Sequence, residues 1–471
     1  MKTKGLTGIA FIITLILSSA VYCSVKTKAT LLAEVDFFEI ENTKFYFGVS
    51  DDNRNVFYES YDENKYTIYV NEKKLTENEI IGWQFPFSPD SKRTAVVCTD
   101  EEGRNTVEID GKKVIIDGSI GAVTFSPDSK NVAYTFYKDG LAGISLDGKE
   151  AKLYEMVSRP RFMKGSAGNR LVYAAKSDGK WCLVIDGKER NKYDGIREIV
   201  VSPDGTRLAI EALDAGKGFV VVDGKEGKRY EDVDQDDNSI VFSPDSKRLA
   251  YVADKFGAEF VVVDDVEHKP YKFISSGDRT LIFSPDSKHL AYVAVIDDGK
   301  CAVILDGKQQ KVYKRVSTYY TPPVFTADGI LAYIVTKDDG KQCIVLDGKE
   351  QEAEYEYISN LVFSADGKKL AYIAARDGKG FVVYDGKEYK NYEPAGLLTI
   401  SPDGKHFAYI SQEGDNYDER FVVIDGVACK EDGFIIPHRS NRYKIIFDSP
   451  TKLHFIAQKD KKVYLVEKQL D

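Results

Sequence analysis

The chain has 471 residues, 43% apolar and 30% charged, with 65 basic against 75 acidic residues and a net charge of −10. That balance is globular, not disordered, and long enough for several domains or one large repeat array. Both signs are interspersed, which disfavours the basic stripe that nucleic acid needs and electrostatic docking on anionic lipid.

In chain order, the first feature is residues 1–23. Lys2 and Lys4 precede the apolar run Ile9–Leu17, and Ser18-Ser19-Ala20 follow. A positive start, a short apolar core and small residues describe an export signal, cut after Ala20 or near Cys23. An uncleaved N-terminal anchor and a lipid-modified Cys23 are the alternatives, although Tyr22 stands where lipid modification favours a small residue. Each reading exports the chain, to the periplasm, the envelope or the exterior. No later segment is long and apolar enough to span a membrane as a helix.

Residues 24–471 form the repeat region. Its clearest copy is Leu281–Lys308, in which apolar runs are cut by Ser284-Pro285-Asp286-Ser287, Asp297-Asp298-Gly299 and Asp306-Gly307. Pro presets φ, and Asp and Gly tolerate left-handed turns, so the runs read as antiparallel strands joined by tight hairpins. The first-turn aspartates are Asp90, Asp128, Asp204, Asp245, Asp286, Asp328, Asp366 and Asp403. They are spaced by 38, 76, 41, 41, 42, 38 and 37 residues. The gap of 76 holds one degenerate copy, and two more stand near Asp52 and Asp448, so 8 + 3 = 11 repeats are expected. Third strands end in Asp-Gly at Asp110, Asp147, Asp186, Asp223, Asp306, Asp347, Asp385 and Asp425, and in Asp264-Asp265 once. Second strands carry Tyr134, Tyr173, Tyr251, Tyr292, Tyr333, Tyr372 and Tyr409. Four-stranded units of about 40 residues are β-propeller blades. The fold class is therefore all-β, with about eleven repeats of 37–42 residues in one large ring or two. The run Ala29–Ile40 is expected to supply the outer strand that the last copy lacks.

The pattern FSPDSKxLAYVA…VVVDGK resembles the WD40-like repeat of TolB-type propellers. It is also similar to the N-terminal propellers of dipeptidyl-peptidase-like proteins. The resemblance covers residues 45–460 and implies the fold; propellers of this type host many roles. TolB-type proteins carry an extra N-terminal α/β domain and the peptidases a C-terminal hydrolase domain, and neither is expected here.

The recurrent aspartates read as turn formers whose carboxylates accept backbone N–H bonds. No EF-hand spacing, HExxH, CxxC, nucleophile elbow, P-loop or Rossmann fingerprint occurs, so no catalytic residue, metal site or cofactor is assigned. His289 and His406 read as surface turn residues. Cys182, Cys301 and Cys343 read as thiols filling the apolar place that Phe219, Phe260, Phe381 and Phe421 hold elsewhere, with a disulfide between neighbouring repeats as the alternative.

Two of the four connections in each repeat are uniform, the SPDSK and DGK turns. The other two vary, and in a meander they share one face of the disc. Variable loops on a rigid scaffold carry binding. The connections entering the first strands contain Trp83, Arg161, Arg279, Tyr319, Tyr320, His438, Arg439 and Arg442, aromatic and arginine residues of the kind found at interface hot spots. The expected function is an exported, non-enzymatic scaffold that binds a protein or peptide. The alternative is a propeller enzyme or carbohydrate-binding protein acting on envelope or extracellular glycans or peptides.

Overall fold

A computed structural model describes residues 26–34, 47–62, 65–78, 80–81, 87–100, 102–166, 168–233, 239–275, 281–296, 299–319, 321–390, 392–412, 420–430, 444–460 and 462–470. The chain folds into eleven antiparallel sheets, each a four-stranded meander. Blades 1 to 5 span 47–78, 80–116, 119–150, 156–193 and 195–226. Blades 6 to 10 span 232–267, 273–313, 315–350, 357–389 and 394–428. Blade 11 joins 446–469 to Lys26–Ala33.

The turns follow from their residues. The third-strand aspartates and the glycines after them take positive φ, 50° and 75° at Asp306-Gly307 for example. This is the mirror-image turn that matches strand twist. Each such carboxylate does two further things. In blade 5, Asp223 Oδ1 accepts the Leu208 N–H at 2.9 Å and Oδ2 accepts from Arg207 Nε at 2.8 Å. The same pair of bonds recurs at Asp110, Asp186 and Asp264. His289 and His406 replace the arginine, with Nδ1 at 2.7 Å from Asp306 and 2.6 Å from Asp425. In the first turn, the buried Ser243 hydroxyl donates to Asp245 at 2.7 Å and accepts the Arg248 N–H at 2.9 Å. The two uniform turns thus lie side by side on one face and hold each other.

Second and third strands are buried on both faces, as their unbroken apolar runs require. Side chains on the two faces form clusters that bridge blades 2–3 through 10–11 in succession. Phe57 meets Phe87 across blades 1 and 2, ring centroids 6.0 Å apart. Leu32 and Ala33 of blade 11 pack with Val49, Val56 and Tyr58 of blade 1. Every blade has two neighbours, so the array is one closed ring, not two.

Closure is made by the strand Lys26–Ala33, paired antiparallel with Lys462–Gln469. It starts three residues before the expected Ala29, and residues 35–40 of that expectation lie outside the described residues. The seam is also polar. His454, buried in blade 11, has Nδ1 2.9 Å from Asp448 and Nε2 3.0 Å from the Asp52 carbonyl of blade 1. Arg54 of blade 1 reaches Asp448 at 2.7 Å. Burial pushes the Asp448 carboxyl up, but His454 and Arg54 together hold it below its usual range.

One expected equivalence fails. Cys182 and Cys343 stand four residues before their turn aspartate, as Phe219 does, but Cys301 stands five before Asp306. A shift of one residue turns a strand side chain to the opposite face. Ala302 fills the apolar place, and Cys301 is only part-buried, opposite Val295 and Tyr313. Cys98, Cys182, Cys301, Cys343 and Cys429 are all free thiols.

Candidate functional site: the variable face and the inner strands

The first strands of neighbouring blades converge: 195–201 lies against 240–242, and 240–242 against 281–283. They are the innermost strands. Four are broken in two, blade 4 by a short step between Val157 and Arg161 and three adjacent blades by longer insertions. In blade 6, Val233 pairs with Ala253 and Ile240 with Tyr251, so the first strand carries six residues where the second carries only Val252. In blade 7 the residues between Ile274 and Leu281 correspond to Val293 alone. In blade 8 seven residues, 317–323, correspond to Tyr333 and Ile334. Blade 5 by contrast has one extra residue, Arg197, a simple bulge.

These insertions refine the sequence reading. Tyr319 does not lie on a connection between blades. The chain has already paired at Arg315–Val316 and leaves the same strand again. Tyr319 is 61% exposed on that inserted loop. The loop is anchored at Thr321, which is buried and accepts the Asn360 N–H of blade 9 at 3.1 Å. Thr318 meets Ser275 of blade 7 at 3.4 Å. Arg161 is exposed within the first strand of blade 4, opposite Val172, away from these insertions in sequence and blade order. Trp83, Arg279, Tyr320, His438, Arg439 and Arg442 lie outside the described residues, so the structure does not group them into a site.

Sequence reasoning named Tyr319 but missed the other members of a wider set. Among the described residues, the large apolar side chains that stay exposed are Ile115, Tyr137, Leu141, Met156, Phe256, Val266, Phe273, Tyr319 and Tyr357. Tyr137 and Leu141 flank a second-to-third hairpin, and Phe256 sits in another. Met156, Phe273 and Tyr357 open the first strands of blades 4, 7 and 9. All six therefore lie on the variable face, and Tyr319 stands just inside it. Only Ile115, on an outer strand, and Val266, beside a uniform turn, lie elsewhere. Their signal was position in the register, not residue type.

One charged group beside the inner strands is in blade 5. Arg197 Nη1 lies 2.9 Å from Glu211 and 2.7 Å from Asp232 of blade 6. Burial pushes the Glu211 carboxyl up to about 7, although Arg197 pulls the other way. Its side chain is 2% exposed, so it is out of a substrate's reach and does not supply the accessible carboxylate pair of a hydrolase. Among the described residues, no group of three or more His, Cys, Asp or Glu is placed to hold a metal ion. No helix among them is long and apolar enough to cross a membrane.

No protein-family description and no curated protein matches the chain. Among solved structures, 550 chains match. One, described as the crystal structure of the eukaryotic initiation factor, is 13% identical with a TM-score of 0.38, covering 67% of this chain and 89% of its own.

Proposed function

We propose that the chain is an exported, non-enzymatic β-propeller scaffold that binds a protein or peptide through its variable face. The observation that carries this reading is the one-sided distribution of exposed large apolar side chains, seven of the nine among the described residues being on or just inside that face. Aromatic side chains with few rotatable bonds lose little entropy on binding and dominate interface energetics. The five-residue-scale insertions in blades 6, 7 and 8 place further variable chain beside them. The net charge of −10 favours a partner other than nucleic acid.

The test is capture of partners from an envelope extract by the mature chain, followed by rebinding of each purified partner. The comparison is a triple variant, Phe273→Ser/Tyr319→Ser/Tyr357→Ser, with Val266→Ser on the opposite face as control. Rebinding that falls at least tenfold in the triple variant and is unchanged in the control supports the reading. Equal binding by all three chains sinks it, and capture of glycans alone moves the assignment to carbohydrate recognition by the same aromatic face. The mass of the chain recovered from cells reports whether residues 1–20 or 1–22 are removed on export.

A further inference from the structure

A cleft of about 360 Å³ lies between blades 4 and 5, on the side of the uniform turns. Its origin is legible in the repeat register. The second strand of each blade carries one side chain that fills the space toward the preceding blade. It is aromatic in nine blades: Tyr58, Tyr134, Tyr173, Tyr251, Tyr292, Tyr333, Tyr372, Tyr409 and Phe455. These rings meet the outer tyrosine of the preceding blade, as in Tyr173 on Tyr154 at 6.3 Å, Tyr251 on Tyr230 at 6.3 Å and Tyr372 on Tyr355 at 5.9 Å. In blade 5 the position is Ile210. The outer tyrosine of blade 4, Tyr193, keeps the edge contact with the third-strand ring, Phe219 at 5.7 Å, that Tyr230 makes with Phe260, but it has no second-strand ring to meet and lines the cleft instead.

Two recurrent side-chain contacts of this interface are missing too, although the Lys164 N–H of blade 4 still donates to the Gly205 carbonyl of blade 5 at 2.7 Å. Elsewhere a lysine two residues before the outer tyrosine pairs with the next blade: Lys152 with Glu189 at 2.7 Å, Lys228 with Glu267, and Lys311 with Glu350 at 2.5 Å. Here the residue is Asn191. Arg93, Arg207 and Arg248 each reach two carbonyls in the next blade's first turn. Arg170, their counterpart in blade 4, has Asp186 as its partner and no such bond to blade 5 among the described residues. A bulge in the outer strand sets Arg190 and Asn191 opposite Leu183, at the cleft wall. Arg190 has neither hydrogen bond nor ion pair among the described residues. The one carboxylate on the lining, Asp223, is already bonded to Arg207 and the Leu208 N–H.

We infer that this cleft is a binding site for a small aromatic carboxylate. Its ring enters against Tyr193 and Ile210, where other blades keep a phenol, and its carboxylate meets the guanidinium groups of Arg190 and Arg170 at the mouth. The volume is that of an ordinary small-ligand pocket, with apolar walls and a few convergent polar groups. A planar carboxylate is the anion that guanidinium matches best.

The experiment titrates 4-hydroxyphenylacetate into the full chain by calorimetry, with p-cresol and acetate as controls. Saturable one-to-one binding is expected, weaker by about tenfold for p-cresol and absent for acetate. Ile210→Tyr restores the side chain of the other blades. It should lose at least tenfold in affinity and melt at a higher temperature. Arg190→Gln should weaken binding by about tenfold with melting unchanged. Ile210→Ala keeps the cleft open and must still bind, which separates lost binding from lost folding. Unaltered affinity in Ile210→Tyr overturns the inference. So does an absence of heat up to about 10 mM with the native chain, whatever the melting temperature of Ile210→Tyr: the cleft is then a packing gap only.

Discussion

At position 211 the repeat holds a carboxylate where other blades carry Val252, Val293 or Ile334. Burial is the larger influence on it, and its pKa rises from 4.5 to about 7 despite Arg197. A carboxyl raised in the folded state stabilises fully below its unfolded value, and that contribution is lost as pH rises through 7. The shift of 7 − 4.5 = 2.5 units corresponds to at most about 3 kcal/mol. Glu350 and Glu467 act in the opposite sense. Lys311 and Lys337, and Lys28 and Lys452, hold these carboxyls down at about 2. Their contribution is present above pH 4.5 and fades as pH falls toward 2. Glu211→Gln isolates the first effect. In urea denaturation, the stability of the native chain relative to Glu211→Gln should drop by about 3 kcal/mol between pH 4.5 and 8. Parallel curves for the two chains would exclude it. The structural role of the turn aspartates was readable from Pro, Ser and Gly beside them. Ile210 was not, because one aliphatic residue in an apolar run carries no signal until Tyr251 is set in register beside it. Cys301 misled for the same reason: one residue of register decides the face.

Strand lengths tell a similar story. The aspartate spacings of 41, 41 and 42 between Asp204 and Asp328, against 37 and 38 elsewhere, record the interrupted first strands of blades 6, 7 and 8. Spacing reports that residues are added but not where, since a longer hairpin gives the same count. Pairing at Val233, Ile274 and Val316 places them in the inner strand. The closing strand was legible from an unpaired apolar run and a three-stranded final copy. Its start was not, because Lys26, Thr27 and Lys28 pair with blade 11 while remaining largely exposed, as an outer edge allows. Its inner end is different: Leu32 is 6% exposed and Ala33 fully buried against blade 1. Leu32→Asp should therefore undo closure at the contact between blades 11 and 1 while leaving the other blade interfaces intact. A lower melting temperature and concentration-dependent association through the freed edge of Lys462–Gln469 are expected in light scattering. A monomer melting like the native chain would show that closure does not depend on this contact.

For the whole molecule, one ring of eleven blades means that all interfaces use a shared set of positions, varied locally at blades 4–5 and at the seam. Lys26 pairs directly with Gln469, so the two sides of the seam are already together. A permuted chain that links Gln469 to Lys26 by a short loop, with new ends cut at the Asp306-Gly307 turn, should fold and melt within a few degrees of the native protein. Failure to fold would mean that the connection at that turn, not the seam, is needed for assembly. The pairing of Lys26–Ala33 with Lys462–Gln469 also sets a timetable. The first of these strands leaves the ribosome 462 − 33 = 429 residues before its partner begins. At about 5–20 residues per second, that is a wait of about 20–90 s. Throughout it ten blades can form one after another while the strand that locks them stays single, so the ring shuts only once Lys462–Gln469 has been made.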